Sequence, residues 1–244
     1  MNTLILIKLI AAHLTGDFLL QSDRMCIDKF SNNSKAKYKA LVLHALVQAA
    51  LAYIFVAQWN CWIVPVVIGV SHFAIDLVKT MSKRTDLISF VWDQLAHLCI
   101  IIGLWWLEFA RLSQLDIADE IFSTNFWLIA TAYIAVLAPT SILIKFFIEF
   151  EKWMPSEASS QGLPNAGKWI GYLERILILT FIFTDNIEGI GFLLAAKSVF
   201  RFGELNKAKD IKITEYVLIG TFASFTIAIL IGFGINWLIG MNFE

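Results

Sequence analysis

Charge is scarce in this chain. Asp, Glu, Lys and Arg make up 16% of its 244 residues, against 58% hydrophobic residues, too few polar side chains to cover a soluble domain. The three cysteines, Cys26, Cys61 and Cys99, are odd in number and have no CxxC spacing, so neither a disulfide framework nor a zinc knuckle is indicated. The net charge of −1 and the lack of a basic, aromatic-interleaved stripe leave no footprint for nucleic acid. A GxSxG motif is missing too, which removes the acyl-enzyme route of that nucleophile.

The chain has long apolar runs instead. A hydrocarbon core about 30 Å thick takes roughly 20 mostly apolar residues per helical crossing, because backbone polar groups in lipid must be satisfied within the segment. Runs of this kind lie at 3–21, 40–57, 61–80, 88–109, 125–147, 169–184, 187–200 and 216–239. The expected fold is an all-α, polytopic transmembrane bundle of seven or eight crossings. The seventh run is short for a span, leaving open a tilted segment, a re-entrant one, or a continuation of the sixth. Residues 1–110 read as a four-helix core, 111–168 as a connecting segment with the fifth crossing, and 169–244 as C-terminal membrane helices.

Cations sort the connections by side. Arg24, Lys29, Lys35, Lys37 and Lys39 follow the first crossing, and Lys79, Lys83 and Arg84 the third. Lys152 and Lys168 follow the fifth; Arg201, Lys207, Lys209 and Lys212 follow the seventh. The alternate connections, near 58–60, 116–120 and 185–188, are poor in Lys and Arg. Positively charged loops stay in the cytoplasm, so both termini are expected outside. The first apolar run could pass for a signal-peptide core, but Lys8 interrupts it and it continues through Leu20, so an uncleaved first helix is expected.

The chain has four histidines, His13, His44, His72 and His97, and each falls on a different one of the first four crossings. Three have an aspartate four positions away: His13 with Asp17, His72 with Asp76, and Asp93 with His97. That spacing puts both side chains on one helical face. The order inverts on the fourth crossing, which runs the opposite way to the first and third. The chemistry therefore stays in register: aspartates about one turn from the cytoplasmic ends, histidines about two, and His44 near the aspartate layer. The outer halves of these crossings are almost wholly apolar apart from Lys8.

An ionised Asp facing lipid costs roughly 2.5–3.5 kcal/mol on insertion scales, so these groups are expected to face the bundle interior. Three neighbouring carboxylates repel one another unless cations or protons intervene. Neutral imidazole with carboxylate suits a divalent ion of the Zn, Mn or Fe type. His13, Asp17, His44, His72, Asp76, Asp93 and His97 could thus serve one or two ions, with Asp17, Asp76 and Asp93 also candidates for catalysis. The plain alternative is a structural polar network, since a lone intramembrane His commonly forms a helix-to-helix hydrogen bond. Gln21, Gln94 and Ser71 could orient ligands or simply pack. Asn32 and Asn33 read as turn chemistry.

The segments HLTGDFLLQSD (13–23), LHALVQ (43–48), SHFAIDLVK (71–79) and DQLAHL (93–98) resemble a family of bacterial membrane proteins, DUF3307, a domain of unknown function. The resemblance implies a bacterial inner membrane, which agrees with the charge asymmetry. Placement of His and Asp is more loosely similar to bacterial membrane-bound metal-dependent hydrolases.

In the C-terminal half, Glu174, Arg175, Lys197 and Arg201 cluster towards the same side, and Glu215 opens the last crossing. Snorkelling and structural pairing explain such residues; the functional alternative is a cradle for an anionic or lipid-linked substrate. These signals together suggest metal-assisted hydrolysis of a lipid ester, amide or phosphoester from the cytoplasmic side. A metal would lower the pKa of a water and an aspartate would accept its proton. The competing readings are a proton- or metal-coupled transporter and a noncatalytic membrane scaffold.

Overall fold

The computed structural model describes residues 3–109, 123–150, 165–202 and 208–241, and these are helical apart from turns and short connections. In chain order the helices are α1 (Thr3–Leu14), α2 (Asp23–Lys29), α3 (Ser34–Val56), α4 (Ile63–Ser82), α5 (Leu87–Glu108), α6 (Thr124–Val136), α7 (Ala138–Phe150), α8 (Ala166–Phe183), α9 (Glu188–Phe202) and α10 (Ala208–Met241). The cation-poor connection expected at 116–120, together with Lys152 and Lys207, lies outside the described residues.

Local chemistry sets the helix limits. The Asn33 side chain caps α3 by accepting from the N–H groups of Lys35 and Ala36, and Asp86 caps α5 by accepting from Ser89 N at 2.8 Å, each filling an orphan donor of a first turn. At the other end, Ala57 (φ 56°) stops α3 and Lys83 (φ 54°) stops α4 in the left-handed region.

Among the described residues, five helical stretches are long and apolar enough to cross a membrane: Ser34–Val56, Ile63–Ser82, Leu87–Glu108, Thr124–Glu149 and Glu215–Gly240. A sixth is reached if Thr3–Leu19 and Asp23–Lys29, bent by 88° at the break between them, count as one span. The expected seven or eight crossings are not all met by this standard among the described residues. Helix α8 has 18 residues and carries Lys168, Glu174 and Arg175, and α9 has only 15 residues. Nor does α9 continue α8, because the chain turns between them with Asp185 at φ 56°.

The chain forms two compact units, Met1–Thr131 and Ala132–Glu244. In the first, α3 packs against α1, α2 and α4, and α5 packs against α1 and α4. Their inner faces change character along the bundle. One end is an apolar cluster that includes Ile5, Leu9, Val56, Val64, Ile68 and Ile101; beyond it the buried positions become His13, His44, Gln48, His72, Asp76, Asp93 and His97. Outward positions such as Leu46, Val70, Val78, Trp92 and Trp106 are exposed. Polar inside and apolar outside inverts the pattern of a water-soluble bundle and suits lipid as the surrounding solvent.

In the second unit α10 packs against α7 and α8, and α8 against α9, around Ala132, Val136, Ile178, Leu179, Ile182, Phe225 and Ala228. The junction of α6 and α7 falls beside Pro139. A proline has no N–H for the carbonyl four residues back, and the Thr140 hydroxyl donates to that carbonyl, Ala135 O, at 2.8 Å.

Candidate metal centre

Each histidine reaches the interior on a regular stripe. On α4 the buried residues Val64, Ile68, His72, Asp76 and Thr80 recur every four positions; on α5, Asp93, His97 and Ile101 do the same. The four imidazoles form one cluster, with ring centroids 3.9 Å apart for His72 and His97, 5.1 Å for His13 and His97, 5.2 Å for His13 and His72, and 5.5 Å for His44 and His72.

Asp17 sits in a π-helical turn, Thr15–Leu19, that follows α1. Such turns widen the helix by one residue and are frequent at functional sites. Here the turn works with Gly16, whose missing Cβ leaves the space that the Gln48 amide occupies. Gln48 Nε2 donates to Asp17 Oδ1 at 2.5 Å and to His13 O at 3.3 Å. Asp17 Oδ1 also accepts from Nε2 of His44 at 3.1 Å and of His72 at 3.3 Å, and its Oδ2 accepts from Gln94 Nε2 at 3.1 Å. One carboxylate thus gathers donors from α3, α4 and α5.

Sequence spacing finds the residues of this cluster but not all of their partners. His13 Nε2 stays 3.9 Å from Asp17 Oδ2. His97 bonds the main chain of Asp93, with Nδ1 2.9 Å from Asp93 O, while its carboxylate lies 4.0 Å away. Close His–carboxylate contacts instead run between helices, including His44 Nε2 to Asp76 Oδ2 at 3.8 Å.

Two lysines enter where the charge pattern suggested loop cations. Buried Lys29 Nζ is 2.5 Å from Asp76 Oδ2; with the Gln21 amide turned so that its oxygen faces this ammonium, that oxygen accepts at 2.6 Å while the amide nitrogen donates to Asp17 O at 3.1 Å. Lys79 Nζ donates to Asp93 Oδ2 at 2.7 Å and is about one-quarter exposed. Lys29 carries no legible sequence signal, because only the sharp break before α2 folds it back. Gln48 does: it lies four residues after His44, on the same face. Ser71 forms a plain helix-internal bond to Ile68 O.

Three buried atoms have no hydrogen-bond partner among the described residues: His13 Nδ1, His97 Nε2 and Asp93 Oδ1. All three present lone pairs. Nδ1 of His97 must donate to the Asp93 carbonyl, so its neutral ring leaves Nε2 bare. The Gln94 nitrogen donates to Asp17 and to Asp93 (3.2 Å), so the Gln94 oxygen is the acceptor for His13 Nε2–H at 3.2 Å, which leaves His13 Nδ1 bare. Buried acceptors without donors are costly, about 1–3 kcal/mol each, and a cation removes the deficit.

The donor geometry fits an ion. Three groups each bring one ligand atom per residue to within 4.8 Å of one another: His13, Asp17 and His97; Asp17, His44 and His72; Asp76, Asp93 and His97. Asp17 and His97 each belong to two groups, which suits one ion or a bridged pair. An imidazole whose second nitrogen donates to a carbonyl, as in His97, is the usual outer support of a metal ligand.

The family described as "Protein of unknown function (DUF3307)" matches residues 5–129, just over half of the chain. The chain belongs to this family. The DUF3307 segment contains all seven His and Asp residues of the cluster together with Lys29, Lys79, Gln48 and Gln94. No curated protein and no solved structure matches the chain.

The four C-terminal candidates belong to the second unit. Lys197 Nζ pairs with Glu174 Oε2 at 2.7 Å. Buried Arg175 donates through Nε to Val136 O, through Nη1 to Ser224 Oγ at 2.9 Å, and through Nη2 to Leu137 O at 3.3 Å and Ser141 Oγ at 2.7 Å. Its guanidinium thereby closes the carbonyls at the α6–α7 junction. The Arg201 side chain lies outside the described residues.

Proposed function

We propose that this protein is an integral-membrane, metal-dependent hydrolase that acts on a lipid or lipid-linked substrate from the cytoplasmic side of a bacterial inner membrane. The observation that carries the reading is the set of three buried, unpartnered lone pairs on His13, His97 and Asp93 within a cluster of four imidazoles and three carboxylates. A purely structural network would be expected to close its own hydrogen bonds.

His97 is the central ligand, shared by the group with His13 and Asp17 and the group with Asp76 and Asp93. His44, His72, Gln48 and Gln94 hold Asp17 in place. A divalent ion of the Zn, Mn or Fe type would supply the Lewis acidity that makes water a nucleophile near neutral pH. Asp76 or Asp93 accepts the proton of the attacking water and returns it to the leaving oxygen. In this reading the cluster, which lies beyond the apolar end of the bundle, is near one membrane surface, where a lipid head can reach it while its tail stays among apolar outer faces.

The test is metal content and lipid turnover of the purified full chain. Wild type should retain a transition metal and release a headgroup or acyl chain from a mixed lipid extract in a chelator-sensitive way. His97→Ala should lose both. Metal near zero in wild type and variant alike would end the proposal.

A transporter is the second reading, favoured by the π turn and the 88° bend beside the cluster, since broken helices often line ion sites. It predicts movement of metal or protons into sealed vesicles, abolished by His97→Ala, without lipid turnover.

A further inference from the structure

Resting on the metal reading above, we infer that the substrate group is a phosphoryl group, and that Lys29 and Lys79 are its ligands.

The argument begins with charge. Three carboxylates, Asp17, Asp76 and Asp93, face two ammonium groups, Lys29 and Lys79, which leaves one excess negative charge when the imidazoles are neutral. One divalent ion turns that into an excess positive charge, and a second ion enlarges it. A low-dielectric interior with uncompensated positive charge favours an anionic ligand. A neutral acyl ester or amide supplies no such charge. A carboxylate supplies it but has no bond to hydrolyse. A phosphate ester supplies both, with several oxygens to accept hydrogen bonds.

Donors are available where the phosphoryl group needs them. An ammonium carries three N–H groups. Among the described residues Lys29 directs two, to Asp76 and Gln21, and Lys79 directs one, to Asp93. Three N–H groups therefore remain for an incoming acceptor. The two lysines rest on the two carboxylates of a single group, Asp76, Asp93 and His97, whose ligand atoms lie within 4.8 Å of one another. Lys79 is partly exposed and Lys29 buried, so an incoming anion meets Lys79 first. When the anion arrives, the remaining N–H groups of the two ammonium groups donate to phosphoryl oxygens and loosen the hold of Lys29 on Asp76 and of Lys79 on Asp93, which frees a carboxylate oxygen to take the water proton. In the reaction the water oxygen bonds to phosphorus and the phosphorus–oxygen bond to the lipid breaks. The water proton passes through an aspartate to the departing alkoxide, so no oxidant or further reactant is required.

The test loads the full chain with Mn2+ in lipid nanodiscs and reads the 31P line width of added inorganic phosphate, with bound Mn2+ counted separately. Wild type should broaden the phosphate signal. Lys79→Gln and Lys29→Gln should weaken phosphate binding by about tenfold or more with Mn2+ content undiminished, and Lys79→Arg should restore most of it. Because Lys29 is buried and its variant could fold poorly, the partly exposed Lys79 variants decide the matter. Parallel arms offer phosphatidic acid in phosphatidylcholine vesicles and a soluble phosphomonoester. Phosphate release from either supports the inference, and the preferred arm identifies the lipid or the free source. Retained Mn2+ with phosphate binding indifferent to both lysines would make them counter-ions only and overturn this inference alone. Fatty-acid release from a neutral ester without phosphate binding would do the same. Wild type that binds none of Mn2+, Zn2+ and Fe2+ would remove the metal reading and this inference together.

Discussion

The two units of the chain handle buried charge in opposite ways. In the second, the Arg175 guanidinium is surrounded by two backbone carbonyls and two serine hydroxyls, and Glu174 is closed by Lys197; no buried side-chain atom there lacks a partner among the described residues. In the first, a larger network of imidazoles, carboxylates and amides leaves three lone pairs without a hydrogen-bond partner among the described residues. A polar network that closes on itself explains itself as structure, since each bond offsets the desolvation of its members. One that stops short on the acceptor side leaves lone pairs that a cation could take, and the metal reading rests on that difference.

That contrast breaks first, and most visibly, at Asp17. Asp17→Ala removes the acceptor of four donors from three helices and should cost about 3–5 kcal/mol of stability. Because Asp17 belongs to two of the ligand groups, metal affinity should fall by at least the roughly 10–100-fold that loss of a partner behind a ligand costs; thermal unfolding in detergent and elemental analysis measure the two effects. Arg175→Met is the matching test in the second unit. It should cost about 2–3 kcal/mol by leaving Val136 and Leu137 carbonyls unpaired, with metal content unchanged. An Arg175 variant that folds but loses metal would erase the distinction between the units.

Smaller effects sharpen it. Gly16→Ala places a methyl group where the Gln48 amide lies, so Gln48 must release Asp17 and His13 O. A loss of about 1–2 kcal/mol together with weakened metal binding is expected in the same assays. Thr140→Val removes only the hydroxyl that stands in for the missing Pro139 N–H. It should cost about 1 kcal/mol and leave metal content untouched.

Much of the candidate site is legible in particular residues. His72 with Asp76, and Asp93 with His97, lie on buried stripes that four-residue spacing predicts, and the change from apolar to polar along α1, α3, α4 and α5 follows the order of residues in each run. The crossing count was less legible: apolar length suggested spans at α8 and α9, but α8 carries three charged residues and α9 is short. Lys29 and Lys79 were read by their charge as loop cations, yet both pair with aspartates of the cluster.

Composition and periodicity alone determined that helices with apolar outer faces would carry four histidines and three aspartates inward, because a side chain's facing direction along a helix is a local property. Only the tertiary structure decided who meets whom. The π turn carries Asp17 towards His44 and His72, the bend before α2 returns Lys29 to Asp76, and a guanidinium closes the junction of α6 and α7. Those pairings depend on distances between helices, which packing and breaks in the backbone set and which no spacing along one helix contains.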